Sequence, residues 1–466
     1  MPRPQPQGGG RGAGHAPIEE KPFTEHAKAR FLLTARWVVP VEPAGAVLER
    51  HAVAVRDGKI EAILPAPQAR ARFAGYEEVA LASHVLMPGL VNAHTHAAMS
   101  LLRGLADDLP LVRWLEDHIW PAEVKHVSRD FVRDGTLVAC AEMIRGGITC
   151  FNDMYFFPDA SLEAALAAGL RSAQGMIVIE FPSAYASDAA DYLRRGLEVR
   201  DRSRDEPLAS FCLAPHAPYT VSNESLKKVA TLSAELDVPV HIHLHETRGE
   251  IERSLAEHGV RPLERLARLG LVGPSLVAVH AVHLDDAEMD LLAKQGASVV
   301  HCPSSNLKLA SGFAPVHSLL RKGVNVALGT DGAASNNRLD MFQEMRTAAL
   351  LAKAVGDDAQ AMPAHAALRA ATFCGARALG LEKITGSIEP GKAADLIAVD
   401  FDAPELAPCY DVISHLVYAA GRENVSHVWV GGRQLMRERE IENPALERLE
   451  ARSQLWQNAV GKRADS

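Results

Sequence analysis

Between Gly89 and Leu328 the chain repeats one pattern eight times, a short apolar run followed by a stretch of helical spacing. The runs are Gly89–Ala93, Thr149–Asn152, Arg171–Ile179, Ala209–Ala214, Val238–Leu244, Ser275–His280, Ser298–His301 and Val324–Leu328. Segments such as Leu162–Ala168, Glu224–Glu235 and Glu288–Lys294 separate them with helical periodicity. Runs this short and this continuously apolar suit strands buried on both faces, and strands joined by helices lie parallel. The expected fold class is therefore α/β, with a (β/α)8 barrel over residues 88–380. Such a barrel carries its chemistry at the C-terminal ends of the strands, so functional side chains are expected there.

Both flanks of the barrel read as β structure. In residues 29–87, Phe31–Pro40 and Ala52–Leu64 are β-rich, with Asp57-Gly58 as a hairpin turn. Beyond residue 380, Gly386-Ser-Ile-Glu-Pro-Gly-Lys-Ala-Ala-Asp-Leu-Ile-Ala-Val399 and Val425–Gly432 return to strand character. Residues 29–87 and 381–440 are expected to join as one small β-sandwich, with a helix in 441–466. Residues 1–28, rich in Pro, Gly and Gln at their start, are expected to be a disordered tail.

Bulk properties exclude several roles. A net charge of −9 with no Lys/Arg-rich block argues against nucleic-acid binding. No apolar run is long enough to cross a membrane. The six cysteines, at 140, 150, 212, 302, 374 and 409, form no Cys-x-x-Cys pair. They read as reduced thiols of a cytoplasmic protein, not as a disulfide framework.

Histidines and carboxylates fall at the expected strand ends. The first run closes as Pro88-Gly-Leu-Val-Asn-Ala-His-Thr-His96, and strand alternation turns His94 and His96 to the same face. The fifth, Val238-Pro-Val-His-Ile-His-Leu-His-Glu246, sets His241, His243 and His245 on one face. Position along that strand makes His243 or His245 a third ligand and leaves His241 deeper, as a packed or hydrogen-bonded ring. Glu246 follows where it can face a substrate and shuttle protons. The sixth run ends in His280, with His283 one turn on, and the eighth delivers Asp331 in Gly329-Thr-Asp-Gly. A lone Thr-Asp-Gly is more often a turn, but this one closes a series whose first and fifth members carry histidines. Three imidazoles and a carboxylate suit Zn2+, with Fe2+ and Mn2+ as alternatives, and an open position would activate a water.

Met87-Pro-Gly-Leu-Val-Asn-Ala-His-Thr-His-Ala-Ala-Met-Ser-Leu-Leu-Arg-Gly104, Trp120-Pro-Ala-Glu123, His243-Leu-His-Glu246, His301-Cys-Pro-Ser-Ser-Asn-Leu-Lys-Leu309 and Gly329-Thr-Asp-Gly-Ala-Ala-Ser-Asn336 carry a family resemblance. The chain resembles the amidohydrolase superfamily from about residue 30 to 435 and, within it, the 5′-methylthioadenosine/S-adenosylhomocysteine deaminases. The resemblance implies hydrolytic deamination of an adenine nucleoside to its inosine analogue. It implies His94, His96, His243 and Asp331 as ligands of one metal ion per subunit, so that His243 is chosen over His245. Glu246, His280 and Asp331 become the catalytic groups. Glu246 protonates the ring nitrogen, while His280 orients the hydrolytic water and shares its proton with Asp331. Glu123 resembles the residue that holds the ribose hydroxyls and His216 a second substrate contact, with Glu246 and Asp331 also facing the substrate. Self-association into a homo-oligomer is implied by analogy only.

Two-metal relatives bridge their ions with a lysine on a middle strand, and no lysine lies between Lys125 and Lys227. Glu180, just after Met176-Ile-Val-Ile179, could bridge in principle but is expected to face the pocket mouth or solvent, so a single metal is favoured. Met99, Leu101, Leu102 and Trp120 are available to wall the sulfur substituent, with the roof of the pocket in Ala97 to Glu123. Arg171 and Arg194 are the arginines considered for a substrate carboxylate. Two other readings share parts of the pattern: deamination of guanine, a pterin or a triazine, and a non-catalytic dihydropyrimidinase-like scaffold.

Overall fold

The computed structural model describes residues 30–461. The expected tail, residues 1–28, lies outside the described residues.

Eight parallel strands form the central sheet: β1 (Leu90–Thr95), β2 (Ile148–Asp153), β3 (Arg171–Val178), β4 (Ala209–Pro215), β5 (Val240–Leu244), β6 (Leu276–His280), β7 (Ser298–His301) and β8 (Asn325–Leu328). Each lies within two residues of the apolar run that predicted it. They pair in chain order, each with the next, and nearly every residue in them is buried. That burial on both faces is why the runs are apolar throughout and do not alternate.

The seam between β1 and β8 closes largely through side chains. Asn92, in the stretch that leads to the paired histidines, accepts from the Thr330 backbone N–H at 2.9 Å and donates to its hydroxyl at 2.7 Å. One turn higher, the Asp331 backbone N–H donates to the His94 carbonyl at 3.0 Å. A Cβ on Gly329 would stand 2.8 Å from the His94 backbone nitrogen. Glycine there lets the two strand ends approach, and the approach carries Asp331 toward the histidines.

The two ends of the chain meet in a mixed sheet below the barrel. Its order is Arg433–Met436, Val425–Val430, Leu396–Asp400, Glu77–Pro88, Arg30–Val38, His51–Arg56 and Lys59–Pro65, with Leu48–Glu49 paired to Arg30–Val38. Asp57 and Gly58 both adopt left-handed backbone, at φ 51° and 76°, as the expected tight hairpin requires. Glu77–Pro88 runs almost directly into β1, so this sheet anchors the start of the barrel. Arg171, at the first residue of β3, reaches down to Asp395 with an Nε–Oδ2 distance of 2.8 Å in a buried ion pair. Among the described residues, no helix is long and apolar enough to cross a membrane.

Over the C-terminal end of the barrel lie a 3-10 segment, Ala97–Leu102, and an almost continuous helical stretch, Leu111–Trp114, Leu115–Ile119 and Trp120–His126. This is the roof expected of Ala97 to Glu123. Glu123 lies on the helix Trp120–His126, which faces it inward against Tyr155.

Candidate active site

The strand ends bring His94, His96 and Asp331 together as one group able to hold an ion, and His94, His243 and His280 as a second that overlaps it. His94 Nε2 lies 3.3 Å from Asp331 Oδ1, His96 Nε2 lies 3.2 Å from the same oxygen, and His243 Nε2 lies 3.3 Å from His94 Nε2. Ligand atoms about 2.0–2.1 Å from one zinc ion stand roughly 3–3.6 Å from each other. These three edges meet that requirement, so the residues present fit a divalent ion.

Hydrogen bonds on the far side of each ring determine which nitrogen faces inward. His96 Nδ1 is 2.5 Å from the Met154 carbonyl and His243 Nδ1 is 2.7 Å from the His216 carbonyl. A carbonyl only accepts, so both Nδ1 atoms carry a proton and both Nε2 atoms face the centre, where each offers a lone pair when its ring is neutral. His94 Nδ1 faces His241 Nε2 at 2.8 Å, which gives the deeper histidine of β5 the hydrogen-bonded role expected of it. His245 turns away to the Leu263 N–H and the His283 carbonyl. Only His243 of the two candidates joins the cluster.

Asp331 is held on all sides. Ser305 and Ser335 hydroxyls each donate to Oδ2 at 2.7 Å, and the Gly332 N–H donates to Oδ1 at 2.8 Å. Burial opposes its charge, but the His94 and His96 rings outweigh that and hold its carboxyl well below the usual range. The two paired histidines respond in opposite directions. Burial takes His94 down to about 4; His96 resists the same burial, and its bond to Asp331 raises it to about 9. Burial also drives His243 well below its ordinary value, which keeps the ring neutral as a ligand must be.

His280 and Glu246 stand beside this cluster. His280, the last residue of β6, gives its Nδ1 to Asn306 Oδ1 at 2.8 Å and presents Nε2 to the site, 3.7 Å from Glu246 Oε2. His280 and Asp331 both hold left-handed backbone, at φ 69° and 61°. Non-glycine residues in that region cost on the order of 1 kcal/mol or more and concentrate at functional sites. Burial raises the Glu246 carboxyl above its ordinary value against the opposing charge of His280.

Above the cluster is a cavity of about 340 Å³. His96, His216, His243, Glu246, His280 and Asp331 reach its floor, and Glu123 stands in its wall. Glu123 accepts a hydrogen bond from the Tyr155 hydroxyl at 2.6 Å, and burial raises its carboxyl to about 7. His216 follows β4, with Nδ1 3.0 Å from the Thr220 hydroxyl. Of the four residues considered for the apolar wall, Met99 and Trp120 line the cavity; Leu101 and Leu102 pack elsewhere in the roof. Arg171 is engaged with Asp395 beneath the barrel, and Arg194 is exposed and paired with Asp191 and Glu198, so neither serves a substrate. Glu180 is exposed and accepts from the Ser222 N–H at 2.9 Å, and it does not line the cavity above His96, His243 and Asp331.

Two supporting residues escaped the sequence reading. Tyr155 carries no spacing signal; it enters only because β2 ends beside the roof helix. Glu250 did leave a signal, because Thr247-Arg-Gly-Glu250 has the spacing of a helix capping box. Its carboxylate does something else, accepting the backbone N–H groups of His245 at 3.0 Å and Glu246 at 2.9 Å.

A family model described as "Amidohydrolase family" matches residues 85–435. A 5-methylthioadenosine/S-adenosylhomocysteine deaminase of Saccharophagus degradans is 48% identical over 93% of this chain and 98% of its own length. One of the same name from Teredinibacter turnerae is 46% identical over 92% of this chain and 98% of its own. The crystal structure of an adenosine deaminase from Xanthomonas campestris with bound zinc superposes with a TM-score of 0.91. It is 50% identical and covers 94% of this chain and 99% of that one. The chain therefore belongs to the amidohydrolase family and, within it, to the family of 5-methylthioadenosine/S-adenosylhomocysteine deaminases.

Proposed function

We propose that this chain is a zinc-dependent hydrolytic deaminase that converts 5′-methylthioadenosine and related adenine nucleosides to inosine analogues and ammonia. One observation carries the reading. A buried carboxyl, Glu246, and an imidazole, His280, stand next to His94, His96, His243 and Asp331 at the floor of a cavity of about 340 Å³. The names of the relatives supply the ring.

Bound between His94, His96, His243 and Asp331, zinc would supply the Lewis acidity that makes water a nucleophile near neutral pH. The chain's own groups do the rest. Glu246, whose carboxyl burial makes easier to protonate, donates to the ring nitrogen next to the amino-bearing carbon and makes that carbon electrophilic. His280, with Nδ1 committed to Asn306, offers Nε2 to orient the water. Asp331 and His280 hold the water's proton and pass it to the departing amine. Glu123 accepts the ribose hydroxyls, and His216 makes a second contact from the end of β4. The apolar roof excludes bulk water.

The reading includes a cytoplasmic location, supported by the six free cysteines. Its test is an ammonia-release screen with zinc-loaded enzyme over aminopurine nucleosides, guanine, a pterin and an aminotriazine. Release from 5′-methylthioadenosine with loss of the adenine absorbance, and none from the other rings, is expected. Release from guanine, the pterin or the triazine alone would replace the nucleoside reading.

A further inference from the structure

The charge inventory of the cavity bears on the substrate's 5′ tail, a point that rests on the deaminase reading above. With the purine at Glu246 and the ribose at Glu123, the tail meets the remaining walls. These are apolar or aromatic, built largely from Trp114, Leu115, Ile119, Trp120, Phe181 and Pro182. Among the described residues that line the cavity there is no lysine and no arginine. Apart from histidines and tyrosines, its ionisable groups are Glu123, Glu246 and Asp331. A carboxylate carried in on the substrate would lose its water and find acidic side chains in place of a cation. A thioether with a short alkyl group loses nothing comparable and gains by burial against the aromatic walls.

Arginines near the cavity are otherwise engaged. Arg171 and Arg194 are paired as described above. Arg253 stands beside Tyr219, 6.0 Å from its ring centre, and its Nε donates to Glu257 at 2.8 Å. It opens onto an adjoining groove whose other arginine, Arg265, is committed to Asn223 and to the Pro218 and Val221 carbonyls, and which also holds Glu116, Glu180 and Glu257, so that groove offers an anion little net attraction.

We propose that this pocket selects adenine nucleosides with a neutral, apolar 5′ substituent of the alkylthio type and discriminates against those with a carboxylate or amino-acid tail. Of the two substrates in the family's name, 5′-methylthioadenosine is then the substrate proper and S-adenosylhomocysteine a poor one.

The test is kcat/KM for four compounds with the zinc-loaded wild-type enzyme: 5′-methylthioadenosine, 5′-butylthioadenosine, 5′-(3-carboxypropylthio)adenosine and S-adenosylhomocysteine. The butyl and carboxypropyl pair has similar length and differs in charge. The two alkylthio compounds are expected within about tenfold of each other, and the two acidic ones about a hundredfold or more below them. Acidic compounds within tenfold of their neutral partner would overturn the proposal and leave deamination intact. Equal rejection of the butyl and carboxypropyl compounds would assign the discrimination to length and also overturn it. Ammonia from none of the four would instead remove the deaminase reading. Arg253→Ala is expected to leave the ratio of neutral to acidic substrates unchanged; a loss confined to the acidic ones would show that this arginine receives the tail, against the proposal.

Discussion

The Tyr155 hydroxyl donates to Glu123 Oε1 at 2.6 Å, joining the end of β2 to the helix that roofs the cavity. Hydrogen bonds to charged groups contribute about 1.5–3 kcal/mol. Tyr155→Phe removes this one without changing the ring's shape. If Glu123 holds the ribose, KM for 5′-methylthioadenosine rises about ten- to a hundredfold in that variant. A fall in kcat with KM unchanged would place Glu123 outside substrate binding.

The same carboxylate sets an acid limb. Burial raises Glu123 to about 7, against the opposing pull of Tyr155 and His96. A raised carboxyl pKa means that the ionised acceptor exists mainly above that pH. Consequently kcat/KM should fall as pH drops below about 7, approaching tenfold per unit. Because the Tyr155 bond favours the ionised form, Tyr155→Phe should move this limb upward. A downward move, or none, would detach the limb from Glu123.

Glu246→Gln keeps the volume of the side chain and removes its proton. Loss of a positioned general acid costs about 10²–10⁴-fold in turnover. Metal content of the purified variant should match wild type, since Glu246 is not among the four converging ligand groups. Near-normal kcat would exclude Glu246 from proton transfer.

Chelation should abolish activity and lower Tm, and zinc should restore both. A ligand bound only by the folded state adds about 4 kcal/mol when present at a thousandfold excess over its Kd. Asp331→Ala should abolish the zinc-dependent shift in Tm. A variant that still gained the full shift would place the ion elsewhere.

Gly329→Ala tests the seam. The added Cβ would meet the His94 backbone at 2.8 Å, so β8 and β1 must separate. Overpacking of this kind costs about 1–3 kcal/mol, readable as a lower midpoint in urea. It should also weaken zinc binding, because Asp331 and His94 lie on opposite sides of that seam. Stability lost with zinc affinity intact would uncouple the two.

The barrel was legible because its strands are buried on both faces and therefore written as continuous apolar runs. All eight appear within two residues of their expected places. Metal-ligand candidates were legible for a related reason: strand alternation ties His94 to His96, and a strand end is where a side chain meets the cavity. Spacing alone left His243 and His245 equivalent, since both share one face of β5. What separates them is the backbone beyond β5, where His245 turns to φ 54° and its ring is taken up by Leu263 and His283.

By itself the sequence determined the periodic burial that makes a parallel barrel, the residue types able to bind an ion, and the family to which they point. Those properties are local, written in runs of a few residues. Tertiary structure decided which groups meet. Asn92 bonds to Thr330 across a seam 238 positions long, Glu250 grips the backbone that aims Glu246, and Tyr155 finds Glu123 between separate elements. These contacts depend on where barrel closure brings distant segments, which no local pattern encodes. Among the described residues, the absence of lysine and arginine from the cavity wall is of the same kind, because arginines stand in the neighbouring sequence and only the fold turns them elsewhere.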